Sequence, residues 1–151
     1  MKAGEAPETL EVELEQLHEE LVRATEAGGE TGEAARKVLK TLFPHMVLER
    51  AFAMPPLKLL AGLARGEFRP EMKKILRRTD GLQAELPRML EQHAQIVVAV
   101  RKLLQAAQRE GHAGYAGLAQ RVIHHAQKEE EILYPAAILV GEYIKLRLGR
   151  K

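Results

Sequence analysis

The sequence predicts an all-α fold, an antiparallel up-down-up-down four-helix bundle with short extra helices, and three observations lead there. Leucine, alanine, glutamate, arginine and lysine dominate, while aromatics make up 4% of the chain and tryptophan is absent. That is a helix-forming palette. Apolar residues recur at three- and four-residue intervals, and no stretch sustains the alternation of a strand.

Leu10, Leu14, Leu17 and Leu21 form one stripe, so residues 9–27 read as the first helix, ended by Gly28 and Gly29. Thr31 is the expected N-cap of a second helix with Ala35, Val38, Leu39 and Leu42 on one face. Pro44 should kink or restart that helix, and Pro55-Pro56 should stop it, because proline has no amide to donate and crowds the preceding turn. Residues 57–65 read as a short helical connector ending near Gly66. The pattern is helical again from about Pro70 to Glu110, with an expected interruption at Thr79-Asp80-Gly81 and a helix start tolerated at Pro87. A fourth helix runs from about 113 to 134, where Pro135 should end it, and a basic-tailed helix follows over 136–148.

At 151 residues the chain reads as a single domain, with a core over about 9–137 and a C-terminal helical extension. It has no cysteine, which excludes disulfides, iron–sulfur clusters and thiol catalysis. Met1–Glu20 is acidic and lacks the apolar run of a signal peptide, and no apolar stretch approaches the ~18 residues of a membrane span. A cytoplasmic protein without membrane attachment is expected. A net charge of +2 gives no ground for expecting nucleic acid. The charge is uneven: residues 1–30 hold nine acids and two bases, residues 58–78 seven bases and two acids. Segment 58–78 reads first as a solvated face and second as a docking patch for an anionic protein partner.

The chemistry lies in the histidines. His45-Met-Val-Leu-Glu49 and His125-Ala-Gln-Lys-Glu129 share one pattern, and a proline follows each histidine ten residues later, at Pro55 and Pro135. Positions i and i+4 share a helix face, so imidazole and carboxylate can reach one cation. His18 precedes His45 by 27 residues and His93 precedes His125 by 32, spacings that suit a helix, a turn and a return to the same depth. The chain thus reads as two loose copies of one unit. His18 is read as lying on the stripe of Leu14, Leu17 and Leu21, and His93 shares a face with Leu90, Ile96, Val97 and Val100.

An unpartnered buried imidazole costs on the order of 1–3 kcal/mol, and an unpaired carboxylate more. Six such residues, His18, His45, Glu49, His93, His125 and Glu129, call for a common partner, and a cation is the simplest. Imidazole with carboxylate and no thiolate suits iron, manganese or zinc rather than calcium or magnesium. Four histidines and two glutamates exceed one tetrahedral zinc and suit two six-coordinate ions bridged by carboxylate. Iron, two per chain, is the expected cofactor. The expectation has a strict condition: with His18 or His93 on the outer surface, pointing away from Glu49 and Glu129, the cation has no cage and the iron reading as drawn from the sequence falls. His124 points about 100° from His125 and reads as a flanking residue, and His112 reads as exposed.

The ordered set His18, His45-x-x-x-Glu49, His93 and His125-x-x-x-Glu129, with the ending from Lys128-Glu129-Glu130 to Tyr134-Pro135, resembles the hemerythrin-like cation-binding domain over roughly residues 10–137. The resemblance implies a di-iron centre in a four-helix bundle, with the glutamates bridging and the histidines terminal. It also implies a small partner at iron: dioxygen, nitric oxide, peroxide or iron itself. The oxygen carriers of that family hold a further histidine one turn after the third-helix ligand, where this chain has Val97. Water, Glu130 or a tyrosine are candidates to fill that place, and Glu130 is the alternative to Glu129 as the carboxylate.

Binding or sensing of a small molecule is therefore the expected function. The alternatives are a peroxide-decomposing or oxygen-dependent redox enzyme on the same site and a metal-free helical interaction module. A ferritin-like carboxylate site ranks low, because only one Glu-x-x-His motif, Glu15-Gln-Leu-His18, is present.

Overall fold

The computed structural model describes residues 5–149. The chain is all-helical, with no strand among the described residues. Helix α1 spans Glu5–Thr25 and α2 spans Gly29–Leu48. A π-helical turn, Glu49–Ala53, carries α2 directly into α3, Met54–Leu57. After α4, Leu60–Ala64, and a 3-10 turn, Pro70–Ile75, come the long α5, Leu76–Arg109, and α6, Ala113–Lys128. A second π-helical turn, Glu129–Leu133, leads into α7, Tyr134–Arg147.

Helices α1, α2, α5 and α6 form the bundle: α1 packs on α2 and α6, and α5 packs on both of the same neighbours. Two apolar clusters fill it. One joins Leu17, Leu21, Val38, Ile96, Val100, Leu103, Leu118 and Val122 at the end of the α1–α2 and α5–α6 turns. The other joins Met54, Leu57, Leu82, Met89, Tyr134 and Ala137. The buried histidines and glutamates lie on the helical segments between them.

The prolines behave differently from the expectation. Pro44 and Pro87 lie inside α2 and α5 without ending either. Both are exposed, so the carbonyl that each leaves unpaired faces water rather than the core. Pro55-Pro56 and Pro135 do not stop their helices. The chain widens into a π turn just before each, and the amides of Met54 and Tyr134 reach back five residues to the carbonyls of Glu49 and Glu129. The carbonyl of Ala51, four residues before Pro55, accepts instead from the Arg78 guanidinium at 3.1 Å.

Thr79-Asp80-Gly81 also sits within α5. Gly81 is required there, since a Cβ would lie 2.5 Å from the Phe52 ring. Thr31 is not the N-cap, because α2 starts two residues earlier. Its amide donates at 2.8 Å to Glu110 from the α5–α6 turn, which also accepts from the Glu30 amide. That carboxylate caps α2 from across the bundle.

Candidate metal centre

Among the described residues seven polar or charged ones are buried, and five of them are His45, Glu49, His93, His125 and Glu129, each at most 6% exposed. Facing atoms of His45, Glu49, His93 and Glu129 lie within 4.8 Å of one another. The Nε2 atoms of His45 and His93 are 2.8 Å apart. His93 Nε2 is 3.0 Å from Glu129 Oε1, and His45 Nε2 is 3.2 Å from Glu49 Oε2. Adjacent donors around a six-coordinate ion with bonds of about 2.1 Å stand about 3.0 Å apart, against about 3.4 Å in a tetrahedron. The spacing suits the wider shell.

The imidazoles are also held from behind. His45 Nδ1 is 3.0 Å from Gln92 Oε1 and His125 Nδ1 is 3.0 Å from Glu13 Oε1. His93 Nδ1 lies 3.2 Å from Glu130 Oε2, although not aligned for a hydrogen bond. At His45 and His125 an oxygen engages Nδ1 while Nε2 faces inward, which is the outer-partner pattern of metal-bound histidine. His125 Nε2 is buried without a hydrogen bond and lies 3.3 Å from Glu129 Oε2. Glu129 thus turns one oxygen to His93 and the other to His125.

The electrostatics show what such crowding demands. Burial and the neighbouring Glu129 carboxylate push Glu49 up to about 7. Burial works against a charged imidazole at His45, but Glu129 and Glu49 outweigh it and lift the ring to about 10. Burial opposes the charge on Glu129 as well, but hydrogen bonds from Glu49 and the three imidazoles hold it well below the usual carboxylate range. Protons compensate the buried charge where a cation would do the same.

His18 corrects the sequence reading. It is exposed, and it lies in a surface groove with Phe43, Met46 and Arg50. The direction of α1 is set by Leu17, Leu21 and Ala24, all buried, and His18 falls on the flank of that stripe rather than at its centre. By the condition set from the sequence, the six-residue iron cage fails with His18 at the surface; what remains is a smaller group, in which four members meet at one point and His125 adjoins through Glu129. Glu13, on the opposite flank of α1, instead meets the outer side of the His125 ring. Of the two adjacent glutamates, Glu129 is buried and Glu130 exposed behind His93. His124 is exposed and His112 half-buried against Tyr115.

Tyr134 is the residue whose place the sequence left open. Its hydroxyl donates to Glu49 Oε2 at 2.8 Å and lies 3.0 Å from His45 Nε2. On an uninterrupted helix Tyr134, nine residues after His125, would point roughly 180° from it. The π turn adds one residue to the circuit and rotates Tyr134 back by about 100°, onto the side of Glu129. Pro135 was the one signal for this in the sequence.

A cavity of about 30 Å³ lies against the centre, walled by Leu14, Leu17 and Leu21 of α1 on one side and by the histidines and glutamates on the other. No helix among the described residues is long and apolar enough to cross a membrane. In the basic segment, Lys58 pairs with Glu11 and Arg65 with Glu67. Compared with protein-family models, curated proteins and solved structures, the chain matches none.

Proposed function

We propose that this chain is a non-haem iron protein of the hemerythrin-like type, which binds or senses a small diatomic molecule at its metal. One observation carries the reading: three buried imidazoles turn their Nε2 atoms onto two buried carboxylates, with an oxygen behind each ring. Such a set is costly without a cation and is oriented for one. The tight turns at residues 26–28 and 110–112 support an antiparallel up-down-up-down arrangement of the four bundle helices.

His45, Glu49, His93 and Glu129 would hold the first ion. His125 and the second oxygen of Glu129 would help to hold a second ion. With His18 outside, that second position has fewer protein donors and is the more open of the two. Bound iron supplies electron exchange and Lewis acidity at open coordination positions. The chain supplies the rest. Gln92 and Glu13 fix two of the rings, and the leucines of α1 exclude bulk water. The cavity of about 30 Å³ has room for one or two water-sized molecules.

Anaerobic titration with ferrous iron, followed by metal counting, tests the reading. Between one and two ions per chain are expected, with an absorption change on adding nitric oxide or dioxygen. Fewer than one ion per chain would leave a metal-free interaction module, with segment 58–78 as its docking face. Peroxide turnover well above that of a His45→Ala variant would favour the enzyme.

A further inference from the structure

We infer that Tyr134 is a fifth protein donor to the first ion, a phenolate that biases the centre toward the ferric state. The inference rests on the metal reading above and deepens it. The Tyr134 hydroxyl stands 2.8 Å from Glu49 Oε2, 3.0 Å from His45 Nε2 and 3.3 Å from His93 Nε2. These separations match those among the histidine and glutamate donors themselves. The oxygen therefore stands among those donor atoms rather than behind them.

The side chain is also built into place. Tyr134 is 1% exposed, its ring stacks on His93 at 5.6 Å, and Met54, Leu57, Leu82 and Met89 share its apolar cluster. The hydroxyl has one hydrogen to give and donates it to Glu49 Oε2, while the Nε2 atoms of His45 and His93 also face its oxygen. A cation at the centre would take a lone pair from each of these atoms. The π turn Glu129–Leu133 aims the phenol inward, whereas the same turn in the first copy of the motif places Met54 at the corresponding position. One side of the centre thus gains a hard oxygen donor and the other does not.

On coordination the phenol O–H bond breaks. Its proton leaves by way of Glu49 Oε2 and is released to solvent, and no electron is transferred. A hard anionic oxygen favours a trivalent ion over ferrous iron or zinc. The asymmetry suits a centre that rests oxidised rather than one that carries oxygen reversibly.

The test loads the whole chain with ferrous iron, oxidises it, counts the metal and records the visible spectrum. Phenolate bound to ferric iron gives a broad visible charge-transfer band, with tyrosine ring modes in the resonance Raman spectrum. The band is expected in the wild type, in Tyr115→Phe and in Tyr143→Phe, and absent from Tyr134→Phe. That last variant should lose ferric iron to a chelator roughly tenfold more readily or worse, with zinc retention much less affected.

Should Tyr134→Phe not fold, ring-deuterated tyrosine in the wild type serves instead, since the Raman modes must shift with the label. Iron that binds in the wild type without the band, or a band that survives in a folded Tyr134→Phe, overturns the phenolate and leaves the metal reading intact. Failure of the wild type to hold iron overturns both.

Discussion

The Nε2 atoms of His45 and His93 face each other at 2.8 Å in the bundle interior, and both residues are 2% exposed. Gln92 stands behind the first ring and Glu130 behind the second, so neither can turn its lone pair away without losing a polar neighbour. A ligand that binds only the folded chain stabilises it by about 2.7 kcal/mol at a free concentration of a hundred times Kd. For a domain of this size that corresponds to roughly 5–10 °C in Tm.

Iron should therefore raise Tm by that amount, and the rise should vanish in His45→Leu/Glu49→Leu. The metal-free double variant should be no less stable than the metal-free parent, since an apolar replacement of a buried ion pair is often neutral or stabilising. Melts of both proteins with and without iron check this. A double variant still stabilised by iron would place the ion elsewhere.

The pH dependence of the two forms should run in opposite directions. In the metal-stripped protein, Glu49 is raised to about 7 and His45 to about 10. A group raised on folding contributes stability that is complete below its unfolded value and lost as pH climbs through its folded value. Stability of the stripped protein should thus fall from about pH 4.5 to about 10: the share of Glu49 is lost between 4.5 and about 7, and that of His45 between 6.5 and about 10. Metal binding displaces those same protons, so affinity strengthens over that range. The gain in Tm on adding a metal that stays soluble there, such as manganese, should be larger at pH 8.5 than at pH 6. A gain that shrinks with pH would mean that protonated groups are not the ones that bind.

The helical segments and most of the buried polar set were legible because both follow from spacing. A stripe at three- and four-residue intervals locates a helix, and a histidine four residues before a glutamate places both on one side of it. What spacing could not give was rotation. His18 and Glu13 lie on opposite flanks of the stripe that orients α1, and only its packing against α2 and α6 decides which flank meets His125. Nor could the prolines be read correctly one by one. Pro44 and Pro87 pass at the surface, where water meets the orphaned carbonyl, while Pro55 and Pro135 follow π turns. Partners such as Gln92 carry no periodic signal at all and emerge only from contact across helices.

The crossing of α5 and α7 is set by the close approach of Thr79 and Gly141. A Cβ at Gly141 would lie 2.2 Å from Thr79 Oγ1 and 2.6 Å from its Cβ. Thr79 is 2% exposed and its hydroxyl back-bonds to the Leu76 carbonyl at 3.3 Å, so it has little room to retreat. Gly141→Ala should cost about 1–3 kcal/mol by overpacking, despite the better helix propensity of alanine. In Gly141→Ala/Thr79→Ala most of that loss should return, which a double-mutant cycle from urea melts measures. Purely additive effects would mean that the helices separate freely at that point.

Pro135 couples the backbone to the centre. It supplies no amide to the helix, and the turn before it runs from Glu129 to Leu133 in the wider π form, which swings Tyr134 inward. In Pro135→Ala an amide becomes available to the Glu131 carbonyl, the usual i to i−4 pairing can close, and the extra residue is drawn out of the turn. Alanine also stands about 3 kcal/mol better than proline on the helix scale. The variant should keep or raise its metal-free Tm while its iron affinity falls at least tenfold, because Tyr134 and the backbone after Glu129 rotate away from the other donors. Thermal melts paired with iron titration separate the two effects. An iron affinity equal to that of the parent would show that the π turn is maintained by packing alone, and that the proline does not aim the tyrosine.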